Sequence, residues 1–155
     1  MKNVLVAALA LVAIGTAVPV AMSGPVGKAT GDVGWTYISP TGPVNAHATF
    51  TAQGTTVDAK GQIQYQDDVG AFQGVVDCYQ PLSGTAAGFS GTISDSSGQY
   101  ATDLYFDAVV FDNGTPGTAG PDQIAVETDV VPILCSNLAQ SHHPWDVTSG
   151  NLVVR

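Results

Sequence analysis

Alternating apolar and polar residues mark two neighbouring segments of the chain as β-strands. In residues 47–53 (HATFTAQ), alanine and phenylalanine alternate with polar residues, and in residues 61–67 (GQIQYQD), Ile63 and Tyr65 alternate with glutamine. Side chains along a strand point to its two faces in turn, so a period of two with one polar face indicates a half-buried antiparallel strand. Both segments are therefore predicted to place one face in a core.

Further β-prone runs follow, separated by turn signals rich in glycine, serine, proline and aspartate. The longest, Gln99–Phe111 (QYATDLYFDAVVF), is predicted to be one strand that bends or bulges because of its length. Beyond the N-terminal segment, no stretch carries a convincing 3.6-residue apolar period of a helix. The other predicted strands are Trp35–Ser39, Ala71–Tyr79, Ala87–Ser94, Asp122–Asp129 and Asn151–Arg155.

This arrangement predicts an all-β domain of seven or eight short strands. Short strands at regular spacing, with turn signals between them, are typical of an antiparallel β-barrel or a β-sandwich. We expect Asn151–Arg155 to pair with an early strand and so to close the sheet. A single antiparallel β-barrel is therefore the predicted fold, with a β-sandwich as the alternative.

The N-terminus has the pattern of a secretory signal peptide. A short basic start precedes the apolar run Val4–Ile14, and small residues follow it. That run is shorter than the roughly 20 apolar residues that a membrane-spanning helix needs. We predict a signal peptide over residues 1–23, with cleavage after Ser23 or alternatively after Ala17, and one secreted domain over residues 24–155.

The charge balance narrows the classes of partner. The chain has 4 Lys and Arg against 13 Asp and Glu, a net charge of −9 that becomes −10 once Lys2 leaves with the signal peptide. Nucleic acids and anionic lipid headgroups both require a basic surface, which this chain lacks. Cations or cationic surfaces are the partners that electrostatics favours, although negative charge also serves solubility alone.

Two cysteines remain in the mature chain. Cys78 and Cys135 are 57 positions apart, and neither belongs to a C-x-x-C motif. In a small exported domain an even pair of cysteines indicates a disulfide rather than a catalytic thiol or a metal site. We therefore predict a bond between Cys78 and Cys135.

The segment 112–122 (DNGTPGTAGPD) has two interpretations. Asn113-Gly114 is a strong turn signal directly after an apolar strand, and Asp112 can bind backbone N–H groups of such a turn. The same oxygens suit calcium, which takes six to eight oxygen ligands, with Asp112, Asn113 and Asp122 as side-chain donors. The spacing matches neither an EF-hand nor a nonapeptide repeat. The turn is favoured, and a calcium site remains the alternative.

The segment 142–146 (HHPWD) is a second candidate for function. Adjacent histidines in an extended segment point to opposite faces, so they rarely bind the same metal, and His47 is the third imidazole of the chain. A surface loop anchored by Trp145 is the simpler interpretation. A ligand-binding role would place Trp145 beside His143 or Tyr79, where an aromatic ring stacks on a sugar or another flat ligand.

No enzyme motif is present. The chain has no G-x-S-x-G, no H-E-x-x-H and no phosphate-binding loop. Asp103 and Asp107 fall on one face of the predicted long strand, but their Cα atoms would lie about 13 Å apart. Glycosidase carboxyl groups lie about 5–10 Å apart. We predict that the protein is not an enzyme and needs no cofactor, apart from the calcium alternative.

Four segments, together with residues 75–91 upstream, resemble a family of small exported proteins of actinobacteria and their neighbours. The segments are Gly88–Ile93 (GFSGTI), Val109–Val126 (VVFDNGTPGTAGPDQIAV), Pro132–Cys135 (PILC) and Thr148–Val154 (TSGNLVV), in that order. They are similar to the domain called post-COAP-1, over roughly Val33–Arg155. The resemblance implies an exported all-β domain and implies no activity and no catalytic residue.

Three functional hypotheses follow. The first, and the favoured one, is a secreted structural or accessory module of the cell exterior. The second is a binding module for a carbohydrate or a small apolar ligand, which predicts that Trp35 and Trp145 converge with several tyrosines. The third is a calcium-dependent adhesion module. Once the signal peptide is removed, we expect the protein to have no membrane contact and to bind a cell-surface glycan or another exported protein.

Overall fold

The computed structural model of the chain describes residues 26–114, 120–138 and 142–155. The predicted signal peptide lies outside these residues. The described residues form eight antiparallel strands, each paired with the next, in one sheet that closes into a barrel. The predicted barrel is therefore confirmed, and the sandwich alternative is wrong. The strands are β1 (Gly27–Ser39), β2 (Gly42–Gly54), β3 (Ala59–Asp67), β4 (Gly70–Ser83), β5 (Ala86–Gly98), β6 (Tyr105–Phe111), β7 (Gln123–Asp129) and β8 (Trp145–Val154).

The last strand closes the barrel, as the sequence predicts. β8 pairs with β1 from Ala29↔Val154 to Trp35↔Val147, whereas it pairs with β7 only at Gln123↔Asp146 and Ile124↔Trp145. Both β1 and β8 are longer than predicted. The junction of β7 and β8 is thus the weakest in the ring, since two register pairs offer few ladder hydrogen bonds. None of the described residues forms a helix long and apolar enough to cross a membrane.

The interior of the barrel is filled by inward-facing side chains of the strands, including the predicted apolar faces of residues 47–53 and 61–67. Phe50 and Phe89 pack with ring centroids 5.2 Å apart, and Phe89 also contacts Phe106. All three rings are at most 2 % exposed. Small residues make room for them, since a Cβ added at Gly31 would lie 2.5 Å from the Phe50 ring. Aromatic rings over small residues therefore fill the interior.

The predicted strand Gln99–Phe111 is wrong over its first six residues. β5 continues through residues 95–98 (DSSG), a turn signal in the sequence, and ends at Gly98, whose φ of +67° is a conformation that favours glycine. A turn follows, and β6 begins only at Tyr105. Tyr100 lies in that turn with its ring 8 % exposed at one end of the barrel. The chain leaves the sheet here because Tyr100 packs into the core instead of continuing the strand.

A bulge in β4 sets which way its cysteine points. Val76 pairs with Gly91 and Cys78 pairs with Ser90, so Asp77 is the additional residue on the β4 side. Without the bulge, the alternation that turns Val76 inward would also turn Cys78 inward. With it, Tyr79 is the inward residue, fully buried, and Cys78 points to the outer face of the sheet.

The outer face of the sheet at β4–β7 is covered by the connection between β7 and β8. We call its described parts, residues 130–138 and 142–144, the strap. Cys135 of the strap is bonded to Cys78 with their Cα atoms 5.8 Å apart, so the predicted disulfide is confirmed. Leu138 is fully buried against β5, where a Cβ at Gly88 would lie 2.8 Å from the Cβ of Leu138. The strap therefore makes a small second core outside the barrel.

Candidate functional site

Two carboxylates and a histidine meet beneath the strap. Asp107 on β6 and Glu127 on β7 are register partners on the outer face of the sheet. His142 lies over them, with its Nε2 2.8 Å from Asp107 Oδ2 and its Nδ1 3.3 Å from Glu127 Oε1. The side chains of Asp107 and His142 are each 3 % exposed, and that of Glu127 is 48 % exposed. One potential ligand atom from each residue lies within 4.8 Å of the others, so the three side chains could hold one metal ion.

The cluster makes the stability of the protein depend on pH. Contact with Asp107 is the main cause that raises the pKa of His142, Glu127 adds to it, and burial acts in the opposite direction. An unfolded histidine has a pKa of about 6.5. Protonated His142 therefore stabilises the fold fully below that pH, and the stabilisation is lost as pH rises through the raised pKa of the folded state.

We expect His142→Gln to destabilise the protein more at about pH 6 than at about pH 9, since the protonated imidazole is the form that faces both carboxylates. Urea unfolding of wild type and variant in EDTA measures the difference. The same difference at both pH values, or a larger one at the higher pH, would contradict this assignment.

Asp67, the last residue of β3, organises a second polar cluster at one end of the barrel. Its Oδ2 accepts hydrogen bonds from the hydroxyls of Tyr37, Tyr65 and Tyr100, at 2.8, 2.9 and 2.5 Å. Its Oδ1 accepts two backbone N–H groups of the following turn at 2.9 Å. Partial burial would raise the pKa of Asp67, but the hydrogen bonds together outweigh it and the pKa is lowered. The carboxylate thus fixes the rings that close this end.

Asp67→Asn is expected to lower the free energy of unfolding by about 2 kcal/mol, because hydrogen bonds to a charged group are the stronger kind. The neighbouring Asp68→Asn is the matched control, since Asp68 accepts one backbone hydrogen bond, from Asn45, at the surface. In urea unfolding, Asp68→Asn should lower the free energy of unfolding by less than about 1 kcal/mol. Equal effects of the two variants would show that the tyrosine contacts contribute little.

The predicted calcium residues lie together but act as turn residues. Asp112 accepts backbone hydrogen bonds from Gly114 at 3.0 Å and from Val154 at 3.1 Å, one on each oxygen. Asp122 Oδ1 accepts the backbone N–H of Asn113 at 3.0 Å. Residues 115–119 of this segment lie outside the described residues. The turn interpretation therefore has a hydrogen-bond basis, and calcium binding stays a prediction.

The four residues predicted to bind a flat ligand do not form one surface. Trp35 and Tyr79 are 3 % and 0 % exposed and pack inside the barrel, so the prediction is wrong for these two. Trp145 is 36 % exposed and packs beside Tyr37 with ring centroids 6.2 Å apart. His143 is exposed on the strap. Trp35 packs beside Tyr65, and Trp145 packs beside Tyr37, at the same end of the barrel. These four rings mostly fill that end of the barrel.

A polar groove crosses the outer face of β2–β4 and the end of β5. Its volume is about 380 Å³, and its lining includes His47, Thr49, Gln64, Gln66 and Gln73. His47 also contacts Asp32 on β1, with Nε2 2.8 Å from Oδ1, and both side chains are exposed. The groove thus offers amide, hydroxyl and imidazole groups to a polar ligand.

Sequence analysis did not find the cluster of Asp107, Glu127 and His142. One signal was present, since Asp107 is the single charge within the apolar run 105–111 (YFDAVVF). The opposite orientations expected for adjacent histidines are observed, with His142 inward and His143 outward. The position of the strap over β6 and β7 could not be derived from either signal.

Comparison with known proteins identified no relative of this chain. A scan against protein-family models, a search of curated proteins and a search of solved structures each found no match to this chain. The resemblance to post-COAP-1 domains accordingly stays a prediction from sequence motifs.

Proposed function

We propose that the protein is a secreted, non-catalytic structural or accessory module of the cell exterior. The observation that carries this proposal is the filled interior of the barrel. Barrels that carry small molecules keep a cavity of about 300–1,000 Å³ for the ligand. Here Phe50, Phe89, Phe106 and Tyr79 occupy the interior, and each is at most 2 % exposed.

The other features of the chain agree with a role outside the cell. A disulfide persists in oxidising compartments. It adds most stability where a segment has little core of its own, as the strap does. The strong negative charge keeps such a module soluble.

Binding of apolar ligands tests the filled interior. We expect no shift in the melting temperature of wild type with a long-chain fatty acid, retinol or indole. Phe89→Ala removes a fully buried ring and serves as the positive control, because an apolar cavity of this kind binds small aromatic molecules. Micromolar binding of any of these ligands to wild type would contradict the proposal and would make the barrel a carrier.

A carbohydrate-binding role is the second candidate, and the polar groove favours it. Gln64, Gln66 and Gln73 present amide groups side by side at the outer face of β3 and β4. Amides both donate and accept hydrogen bonds, as sugar hydroxyls do. Exposed Trp145 does not line the groove, so recognition there would depend on hydrogen bonds rather than on stacking against that ring.

A glycan array followed by calorimetry tests this candidate. Gln64→Ala should weaken binding of any glycan found by at least about tenfold, since buried hydrogen bonds to a ligand are each worth about 1.5 kcal/mol. Gln62→Ala is the matched control, an exposed glutamine of the same strand that does not line the groove. Equal affinities of both variants would place binding elsewhere.

A further inference from the structure

Two carboxylates lie side by side under the strap, and this arrangement requires a positive charge. Asp107 and Glu127 are directly opposed in the register of β6 and β7, and Asp107 is 2 % exposed. Like charges opposite each other destabilise a sheet, and a buried carboxylate is costly without a partner. Within the described part of the chain, no lysine or arginine makes an ion pair with either residue; His142 alone does so.

The contacts of His142 are close but poorly directed for hydrogen bonds. Its Nε2 is 2.8 Å from Asp107 Oδ2, a normal ion-pair distance. The two ring nitrogens of His142 and Oδ2 of Asp107 are all buried. Even so, none of these three atoms makes a well-aligned hydrogen bond with a described residue. Buried polar atoms are almost always satisfied, and an unsatisfied group needs an explanation such as strain, an ordered water or a bound ion.

We propose that Asp107, Glu127 and His142 form a binding site for a divalent first-row transition metal ion. The charges favour this occupant. Two carboxylates and an imidazolium leave one negative charge in excess, whereas two carboxylates, a neutral imidazole and a divalent cation are balanced. The site goes beyond the proposed structural role and does not depend on it.

The distance between His142 and Asp107 fits two ligands of one metal ion. For bonds of about 2.1 Å to nitrogen and oxygen, atoms 2.8 Å apart subtend roughly 85° at the metal. The nitrogen lone pair then points about 50° away from the N–O line, which is too oblique for a hydrogen bond. A metal ion held by both atoms as adjacent ligands of an octahedral or five-coordinate site would account for the unsatisfied atoms.

Glu127 completes the arrangement on the other side of the ring. Its Oε1 faces the Nδ1 of His142 at 3.3 Å. A histidine that binds metal through one nitrogen usually gives its other N–H to a carboxylate, which fixes the ring. Glu127 either acts in this way or turns to the metal itself, and its half-exposed side chain gives the ion a path from solvent.

The donor set selects the class of cation. One imidazole nitrogen with carboxylate oxygens suits zinc, manganese and related ions, whereas calcium and magnesium prefer oxygen alone. Bound metal would tie His142 to β6 and β7, a second attachment of the strap beside the Cys78–Cys135 bond. The ion would thus stabilise the folded form, because the unfolded chain holds no such site.

Calorimetric titration with zinc and manganese chlorides, after chelator treatment of residues 24–155, tests the proposal. We expect one site per molecule for at least one of the two ions, with affinity lowered at least about tenfold by His142→Gln. His47→Gln is the matched control, since His47 also lies 2.8 Å from an aspartate, but at the surface. His143→Gln controls for the neighbouring imidazole. Both controls should bind as wild type does.

A measurement on the unaltered protein avoids variants that misfold. Addition of diamagnetic zinc should shift the imidazole nitrogen signals of His142 in NMR spectra, and leave those of His47 and His143 in place. Binding of neither ion at millimolar concentration would overturn the proposal. So would zinc-induced shifts at His47 or His143 without a shift at His142, or an affinity that His142→Gln leaves unchanged.

Discussion

Replacing Cys78 and Cys135 together by alanine is expected to lower the free energy of unfolding by about 4 kcal/mol. The bond joins residues 57 positions apart, so its loss frees a long loop in the unfolded chain. In the folded state, the strap would lose its covalent attachment to β4. Leu138 and His142 would then be held by packing and by the Asp107–Glu127 cluster alone.

Equilibrium urea unfolding of oxidised wild type and the double variant measures this effect. Limited proteolysis adds a local readout, since cleavage in residues 130–138 should become faster than cleavage in the strands. Dithiothreitol serves as the control, because it should destabilise wild type and leave the double variant unchanged. A loss below about 1 kcal/mol would show that the strap is held by its packing and not by the bond.

Gly91→Ala is expected to destabilise the barrel by about 3 kcal/mol or more. Gly91 lies opposite Val76, beside the bulge at Asp77, and a Cβ there would overlap the Val75 carbonyl oxygen. The obstacle is backbone, which cannot rotate away as a side chain can. The β4–β5 pair would have to separate where the bulge sets the directions of Cys78 and Tyr79.

Gly84→Ala is the matched control for this prediction. Gly84 lies between β4 and β5, and an added Cβ would have no atom within 4 Å. The free energy of unfolding of the Gly84→Ala variant should stay within about 0.5 kcal/mol of the wild-type value. If Gly91→Ala changed the free energy of unfolding as little as Gly84→Ala, that result would contradict the close approach of the two strands at the bulge.

The period-two pattern predicted the strands whose two faces differ in polarity. Ile63 and Tyr65 face the core and Gln62, Gln64 and Gln66 face outward, as expected. Closure by the last strand was also predictable, because a small antiparallel sheet with an apolar face gains by leaving no edge. The disulfide was predictable from the even number of cysteines and the predicted export of the chain, without knowledge of the fold.

Local pattern failed where contacts distant in sequence decide the structure. The run 99–104 was predicted as one strand with residues 105–111, yet Tyr100 turns inward, where its hydroxyl reaches Asp67, 33 positions earlier. The bulge at Asp77 reverses the alternation in β4, so Tyr79 lies in the core. Trp35 was predicted as a ligand-binding ring, but it packs in the core beside Tyr65 of β3, at a ring distance of 5.9 Å.

The candidate metal cluster was the least predictable part of the molecule. Asp107 and Glu127 become neighbours through the register of β6 and β7, and His142 reaches them through a strap with no regular pattern. The sequence instead offered Asp112, Asn113 and Asp122 as the alternative metal ligands, because they are close along the chain. In the fold, their polar groups serve the turn and the backbone N–H of Val154.

Expression of the full chain in a bacterium tests the proposed exported role most directly. Fractionation, followed by intact-mass and peptide mass spectrometry without reduction, identifies the location of the product, its N-terminus and the state of Cys78 and Cys135. We predict a product outside the cytoplasm that begins at Gly24 and has both cysteines joined. A chain that keeps residues 1–23, stays in the cytoplasm and carries free thiols would contradict the proposal.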